Sequence, residues 1–248
     1  MIISSKNNSH FKFFKSLKEK KYRQENKLFM VEKPVVIEEA IEFVPEYISI
    51  SEEAYNENKF EEILKIVDKE RIFIFSDNLF KNLADAVTSP GIIAYYKEIH
   101  RDFNENRGKF LYLDDIREPG NLGGIIRSAD AFNLDGVIIS PNSVDVYNPK
   151  TVRSSMSSIF KVPIYFMPRE DLLKLDFNIL ATALSNSTST RDYEFKDKDI
   201  VVIGNEAKGV SKFLMENANG YLNIPISESV DSLNANVAAS IIIYEMMK

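Results

Sequence analysis

The sequence predicts an α/β protein of two domains, on three observations. Strand and helix patterns alternate along almost the whole chain of 248 residues. At 109–134, KFLYLDDIREPGNLGGIIRSADAFNL, an apolar strand pattern runs through a turn rich in glycine into a helical one. Between two such alternating stretches, residues 98–108 are polar, charged and nearly without apolar periodicity, as a linker should be. The expected layout is a smaller α/β domain over 1–97, a linker over 98–108, and a mostly parallel sheet with helices on both faces over 109–248.

The elements follow from apolar spacing. Residues 8–21 put Phe11, Phe14 and Leu17 at helical spacing with Lys12, Lys15 and Lys18 beside them, so an amphipathic basic helix opens the chain. Strand 28–31, helix 35–43, strand 47–50, helix 60–68, strand 71–75, helix 78–84 and strand 91–96 follow. The second domain reads strand 110–113, helix 122–132, strand 136–139, helix 149–155, strand 164–166, helix 169–174 and strand 177–182. Strand 200–203, a short helix from 210, strand 221–224 and a last helix over 234–247 complete it. Residues 185–190, SNSTST, are expected to be a flexible loop. The last helix is apolar nearly all round over 237–247, which calls for cover on more than one side, by the sheet and by a second subunit.

Composition removes several function classes. With 44% hydrophobic and 27% charged residues the chain reads as an ordinary globular protein. No apolar run approaches the roughly 18 residues of a membrane span. The first residues, MIISSKNNSHFKFFK, lack the apolar segment of a signal peptide, so a cytoplasmic protein is expected. The absence of cysteine excludes disulfides, thiolate zinc sites, iron–sulfur clusters and a cysteine nucleophile. The two histidines, His10 and His100, cannot build a metal site unaided, and neither sits in a recognisable Ser/His/Asp setting. The net charge of −6 conceals a split: residues 1–33 carry nine Lys or Arg against three Glu, a local +6 that leaves −12 for the remainder. Such a cluster is either a solvated helix face or a surface that contacts nucleic-acid phosphates, with Lys12, Lys15, Lys18 and Arg23 as candidates. Glu38, Glu39, Glu42, Glu52, Glu53, Glu57, Glu61 and Glu62 read as solvated helix faces.

The strand-to-helix join at 109–134 is the candidate site, because open α/β sheets bind ligands beyond the carboxyl ends of their strands. Pro119 and Gly120, Gly123 and Gly124 read as a rigid loop that presents Asn121 and Arg127; a plain connection with Arg127 paired to Asp130 is the alternative. The glycines read GNLGG, neither the GxGxxG of a dinucleotide fold nor a P-loop, so neither a nicotinamide dehydrogenase nor an NTPase is expected. Two further strand-to-helix loops share this character, VVIGNEAKGVS at 201–211 and YLNIPISESVDSLNANVAAS at 221–240, where Ser232 or Asn234 can cap the last helix.

In this order and spacing the three loops resemble the motifs of the SpoU family of RNA ribose 2'-O-methyltransferases, within the SPOUT superfamily. The first matches through Asn121, Gly123 and Arg127, the second through Gly204, Glu206 and Gly209, and the third through Ile224, Pro225, Ser232, Leu233 and Asn234. The stretch 148–164 also resembles the family, and the first domain looks like its substrate-binding domain. Lys33 and Ser157 stand where the family commonly has glycine.

The resemblance implies a trefoil-knotted carboxyl-terminal α/β domain, S-adenosylmethionine bound in the knot, a homodimer through that domain, and an RNA substrate, ribosomal in preference to transfer RNA. Thr182, Leu184, Gly204, Asn205, Glu206, Gly209, Ile224, Ile226 and Leu233 would surround the cofactor. Arg127 matches the family's catalytic arginine, and Asn121, Glu206, Ser232 and Asn234 would complete the catalytic pocket, with no metal. A guanidinium pKa above about 12 makes Arg127 a poor base, so its safer role is to anchor a phosphate and orient the ribose.

Overall fold

The computed structural model describes residues 1–86, 88–103, 106–227 and 229–248. It forms two compact units, Met1–Ile99 with Asp145–Phe160, and His100–Val144 with Lys161–Lys248. The first part of the chain folds as β1 (Ile2–Ile3), α1 (Ser9–Ser16), α2 (Lys20–Asn26), β2 (Leu28–Val31), α3 (Pro34–Glu39), β3 (Tyr47–Ser51), α4 (Glu52–Asn56), α5 (Glu61–Lys65), β4 (Ile72–Phe75), α6 (Asp77–Leu83) and β5 (Ile92–Lys97). Then come β6 (Phe110–Leu113), α7 (Pro119–Ala131), β7 (Gly136–Ile139), α8 (Pro149–Ser155), α9 (Ser158–Lys161), β8 (Ile164–Phe166) and α10 (Arg169–Leu172). The chain ends with β9 (Asn178–Thr182), β10 (Thr188–Ser189), β11 (Asp199–Ile203), α11 (Lys212–Asn217), β12 (Gly220–Asn223) and α12 (Ala235–Met246).

In the first unit five strands make a sheet in the order β1, β4, β3, β5, β2, with β5 antiparallel to both its neighbours. Phe11, Phe14 and Leu17 bury against Phe75, Leu79 and Tyr95, and the Phe14 ring stacks on Tyr95 at 4.5 Å. The helix expected over 8–21 is two helices. Asn8 caps α1 by accepting from the amides of His10 and Phe11, and the chain leaves helical geometry before α2 begins. Carbonyls freed at that break are satisfied by Arg23, whose Nη1 donates to Leu17 O at 3.0 Å and Lys18 O at 2.6 Å. Arg23 is 2% exposed, and its Nη2 lies 2.5 Å from Asp145 Oδ2. Its expected role in RNA contact is therefore corrected: this charge is spent inside the unit.

Residues 145–160, placed by sequence in the second domain, pack with the first unit. The reason is aromatic. Tyr147 stacks on Phe29 at 4.6 Å, and Phe160 meets Tyr96 edge-on at 4.7 Å, so the segment covers the outer face of β2 and β5.

The second unit is a seven-stranded sheet in the order β10, β12, β9, β11, β6, β7, β8, and every pairing in it is parallel. Its central strands β6, β7 and β11 are buried throughout, as strands with helices on both faces must be. The expected loop at 185–190 contributes β10, a two-residue edge strand beside β12. Among the described residues, no helix is long and apolar enough to cross a membrane.

Candidate active site

The stretch PGNLGG is not a loop but the first turns of α7, which begins at Pro119. Proline suits the first helical position, where its missing N–H removes a donor that has no partner inside the helix. At Gly124 an added Cβ would lie 2.5 Å from the end of the Asn236 side chain, which would have to shift, so glycine suits the contact of α7 with α12 there. Ser128 Oγ and Ser240 Oγ, 2.7 Å apart, join the same two helices.

After β11 the chain makes a tight turn. The amide of Asn205 donates to Gly209 O at 3.0 Å, and the amide of Gly209 donates back to Asn205 O at 2.8 Å. Gly209 has φ +69°, a conformation that L side chains rarely adopt, and a Cβ at Gly204 would lie 2.1 Å from the Gly209 carbonyl carbon. Asn205 fixes the turn from within, its Oδ1 accepting from the amides of Ala207 and Lys208.

Glu206 projects from that turn to the amino end of α7, where its carboxylate accepts from the amides of Arg117 (3.2 Å) and Glu118 (3.1 Å) and from Asn121 Nδ2 (2.8 Å). Those two amides precede the first residue of α7, so the carboxylate from the distant turn anchors the amino end of the helix, where negative charge is favoured. Partial burial opposes the charge, but the hydrogen bond from Asn121 and those from the main chain outweigh it and hold the Glu206 carboxyl below its ordinary value of 4.5. Asn121 Oδ1 in turn accepts from Asn234 Nδ2 at 2.9 Å, and Asn234 Oδ1 caps α12 by accepting from the amides of Asn236 and Val237. One chain of hydrogen bonds thus links all three motif loops.

The carboxyl ends of β9, β11 and β12 open onto a cavity of about 980 Å³. The nine residues expected around a cofactor, Thr182, Leu184, Gly204, Asn205, Glu206, Gly209, Ile224, Ile226 and Leu233, all line it, as do Ser232 and Asn234. Asn121 stands behind Glu206 and Asn234, itself buried, and Arg127 is exposed on α7. Lys208 and Asp231 also line the cavity. Sequence reasoning passed over both, although each adjoins a motif residue. Among the described residues no group of three His, Cys, Asp or Glu side chains could hold a metal ion.

Of the basic candidates in the first unit, Lys12 and Lys15 are exposed on α1. Lys18 is half-buried, and its Nζ donates to Ala84 O at 2.5 Å.

Residues 108–244 match the SpoU rRNA Methylase family, and residues 8–94 match the MRM3-like substrate binding domain. Over 250 residues the chain is 29% identical to the 23S rRNA (guanosine(2553)-2'-O)-methyltransferase RlmP of Bacillus subtilis, covering 98% of each protein. Among solved structures, the AdoMet-bound rRNA methyltransferase from Sinorhizobium meliloti superposes with a TM-score of 0.86 at 25% identity, covering 99% of this chain and 97% of that one. The SpoU methyltransferase AviRb from Streptomyces viridochromogenes, in complex with AdoMet, does so with a TM-score of 0.83 at 26% identity over 97% of each chain.

Proposed function

The chain belongs to the SpoU rRNA methylase family, and from that premise we propose that it transfers a methyl group from S-adenosylmethionine to a ribose 2'-hydroxyl of ribosomal RNA. The observation that carries this reading is one cavity at the carboxyl edge of the sheet lined by the second and third motif loops, with the first motif tied behind them through the hydrogen bonds of Asn121 with Glu206 and Asn234. The cavity fits the cofactor. Its volume of about 980 Å³ is ample for a small ligand, its wall is apolar at Leu222, Ile224, Ile226 and Ile242, and it is polar at Asn205, Glu206, Ser232 and Asn234. Main-chain groups at Gly204, Ile224 and Leu233, with Thr182 and Leu184, are assigned to hold it. S-Adenosylmethionine supplies a methyl group already bonded to a good leaving group, so the chemistry needs no metal.

What remains for the protein is orientation, which is worth up to about 10⁵ to 10⁸ M in effective molarity. Arg127, exposed on α7, is assigned to anchor an RNA phosphate and aim the ribose hydroxyl. Glu206 is assigned to position rather than to act as a base, because both its oxygens already accept hydrogen bonds and its pKa is lowered. Asn121 and Asn234 hold the amino ends of α7 and α12 in register around it.

The first unit is assigned to RNA, supported by the match of residues 8–94 and by the basic segment 1–33. A ribosomal substrate, in preference to transfer RNA, is supported by the full-length similarity to RlmP. A cytoplasmic location belongs to the same reading. A homodimer through the second unit, with the carboxyl-terminal segment threaded as a trefoil knot, belongs to the same reading; β12 inserted between β9 and β10, and α12 laid on α7, support the threading. Calorimetric titration with S-adenosylmethionine in EDTA tests the site. Binding is expected without metal, and binding lost in EDTA and restored by zinc or magnesium contradicts it.

A further inference from the structure

One ionic cluster in the second unit, with Asp114 buried and Arg169 and Asp115 half-buried, has no part in this mechanism. Arg169 opens α10 and reaches under the carboxyl end of β6, where its Nε donates to Asp114 Oδ1 at 2.6 Å and its Nη2 lies 2.7 Å from Asp115 Oδ2. Asp114 is 1% exposed, and a carboxylate so buried persists only with a partner. Both aspartates extend the grip to the turn after β11. Asp114 Oδ2 accepts the amide of Ser211 at 2.7 Å, and the Asp115 carbonyl accepts Asn205 Nδ2 at 2.8 Å.

Asp115 is also held from a third side. Its amide donates to Ser140 Oγ and its carboxylate accepts from that hydroxyl, both at 2.9 Å. Its φ of 59° is uncommon for any residue but glycine, so the direction of its carbonyl depends on these contacts. Burial works against both charges, yet pairing wins: the Arg169 pKa is raised and that of Asp115 lowered, with Arg117 adding to the effect on Asp115. The guanidinium is therefore tied to the two ends of the 205–211 turn that carries Glu206 and lines the cavity: to Ser211 through the Asp114 carboxylate, and to Asn205 through Asp115, which it grips by the carboxylate and whose main-chain carbonyl accepts from Asn205.

We propose that Arg169 is a positioning residue that holds the 205–211 turn in its ligand-receiving shape without touching the ligand. The inference rests on the S-adenosylmethionine reading for the identity of that ligand. An ion pair that only stabilised the fold would not need both aspartates to engage opposite ends of one turn. When a binding-competent shape is populated only a fraction of the time, the apparent Kd rises by the inverse of that fraction.

The test uses the full chain as wild type, Arg169→Gln and Arg169→Lys, with hydrogen exchange of the unliganded protein and calorimetric titration with S-adenosylmethionine. In Arg169→Gln, exchange is expected to quicken over residues 204–211 while β7 and β9 stay protected. Cofactor Kd is expected to rise about tenfold, as for a turn ordered about a tenth of the time, with kcat at saturating cofactor unchanged. Arg169→Lys keeps the charge but not the planar fork and is expected to fall between the two. Unchanged exchange and affinity in Arg169→Gln overturn the proposal, as does uniformly faster exchange across the second unit, which makes Arg169 a stability residue alone. If Arg169→Gln does not fold, Arg169→Lys is judged by the same outcomes. Wild type that fails to bind S-adenosylmethionine sinks the cofactor reading, and the exchange data still decide whether Arg169 holds the turn.

Discussion

Arg127 and Glu206 bear opposite charges on two of the motifs and are expected to fail differently. Arg127→Ala removes the group proposed to anchor RNA, so methyl transfer should fall by about 10²-fold or more while cofactor affinity stays within a few fold. Near-normal turnover in that variant contradicts the assignment. Glu206 is a positional anion, and its linkage has a definite sign. A carboxyl whose folded pKa lies below its ordinary 4.5 adds stability that is complete above that value and is lost as pH falls through the folded pKa. The melting-temperature gap between wild type and Glu206→Gln should therefore be constant around neutral pH and close only in acid; a gap that closes near neutrality contradicts the anchoring role. Glu206 was legible in the sequence as a motif residue, but its partners were not. The amides of Arg117 and Glu118 lie far away in sequence, and only the folded turn brings the carboxylate to them.

At the scale of elements, α1 carries the clearest prediction about RNA. Lys12 and Lys15 are exposed, whereas Lys18 is engaged with Ala84 O and Arg23 is buried. Replacing Lys12 and Lys15 with Gln should weaken RNA binding and flatten its salt dependence by about 0.7 per lost phosphate contact on single strands. Unaltered affinity and slope would mean that α1 is only a solvated face. Arg23→Met should instead destabilise the first unit by about 3 to 5 kcal/mol, because it strands Asp145 beside an apolar side chain, and a denaturant melt measures it. The alternating strands and helices were readable from periodicity because each buries one apolar face. The break between α1 and α2 was not, since residues 17–19 contain no helix breaker and the compensating Arg23 pairs with Asp145, far along the chain. The start of α7 was misread for a related reason. Proline and glycine usually signal a loop, but here Pro119 opens the helix and Gly124 admits α12.

Over the whole molecule, the second unit leaves an apolar ridge where Tyr244 of α12 (52% exposed) meets Phe132 at the end of α7, ring centroids 5.5 Å apart. Ile242, on the same helix, is fully buried and lines the cavity, so it cannot belong to a subunit contact. Wild type is expected to sediment as a dimer and Tyr244→Asp as a monomer; a wild type that is monomeric at micromolar concentration contradicts the contact. The domain boundary shows the limit of reading order from sequence. Residues 145–160 follow β7 along the chain, yet Tyr147 and Phe160 find their aromatic partners on β2 and β5. The central claim, methyl transfer to a ribose 2'-hydroxyl of ribosomal RNA, is tested by incubating the protein with ribosomal RNA and methyl-labelled S-adenosylmethionine, then hydrolysing the RNA in alkali. Label in alkali-resistant dinucleotides, which only a blocked 2'-hydroxyl produces, is the expected result. Label in mononucleotides carrying a methylated base, or no transfer by a protein that binds both cofactor and RNA, contradicts the account.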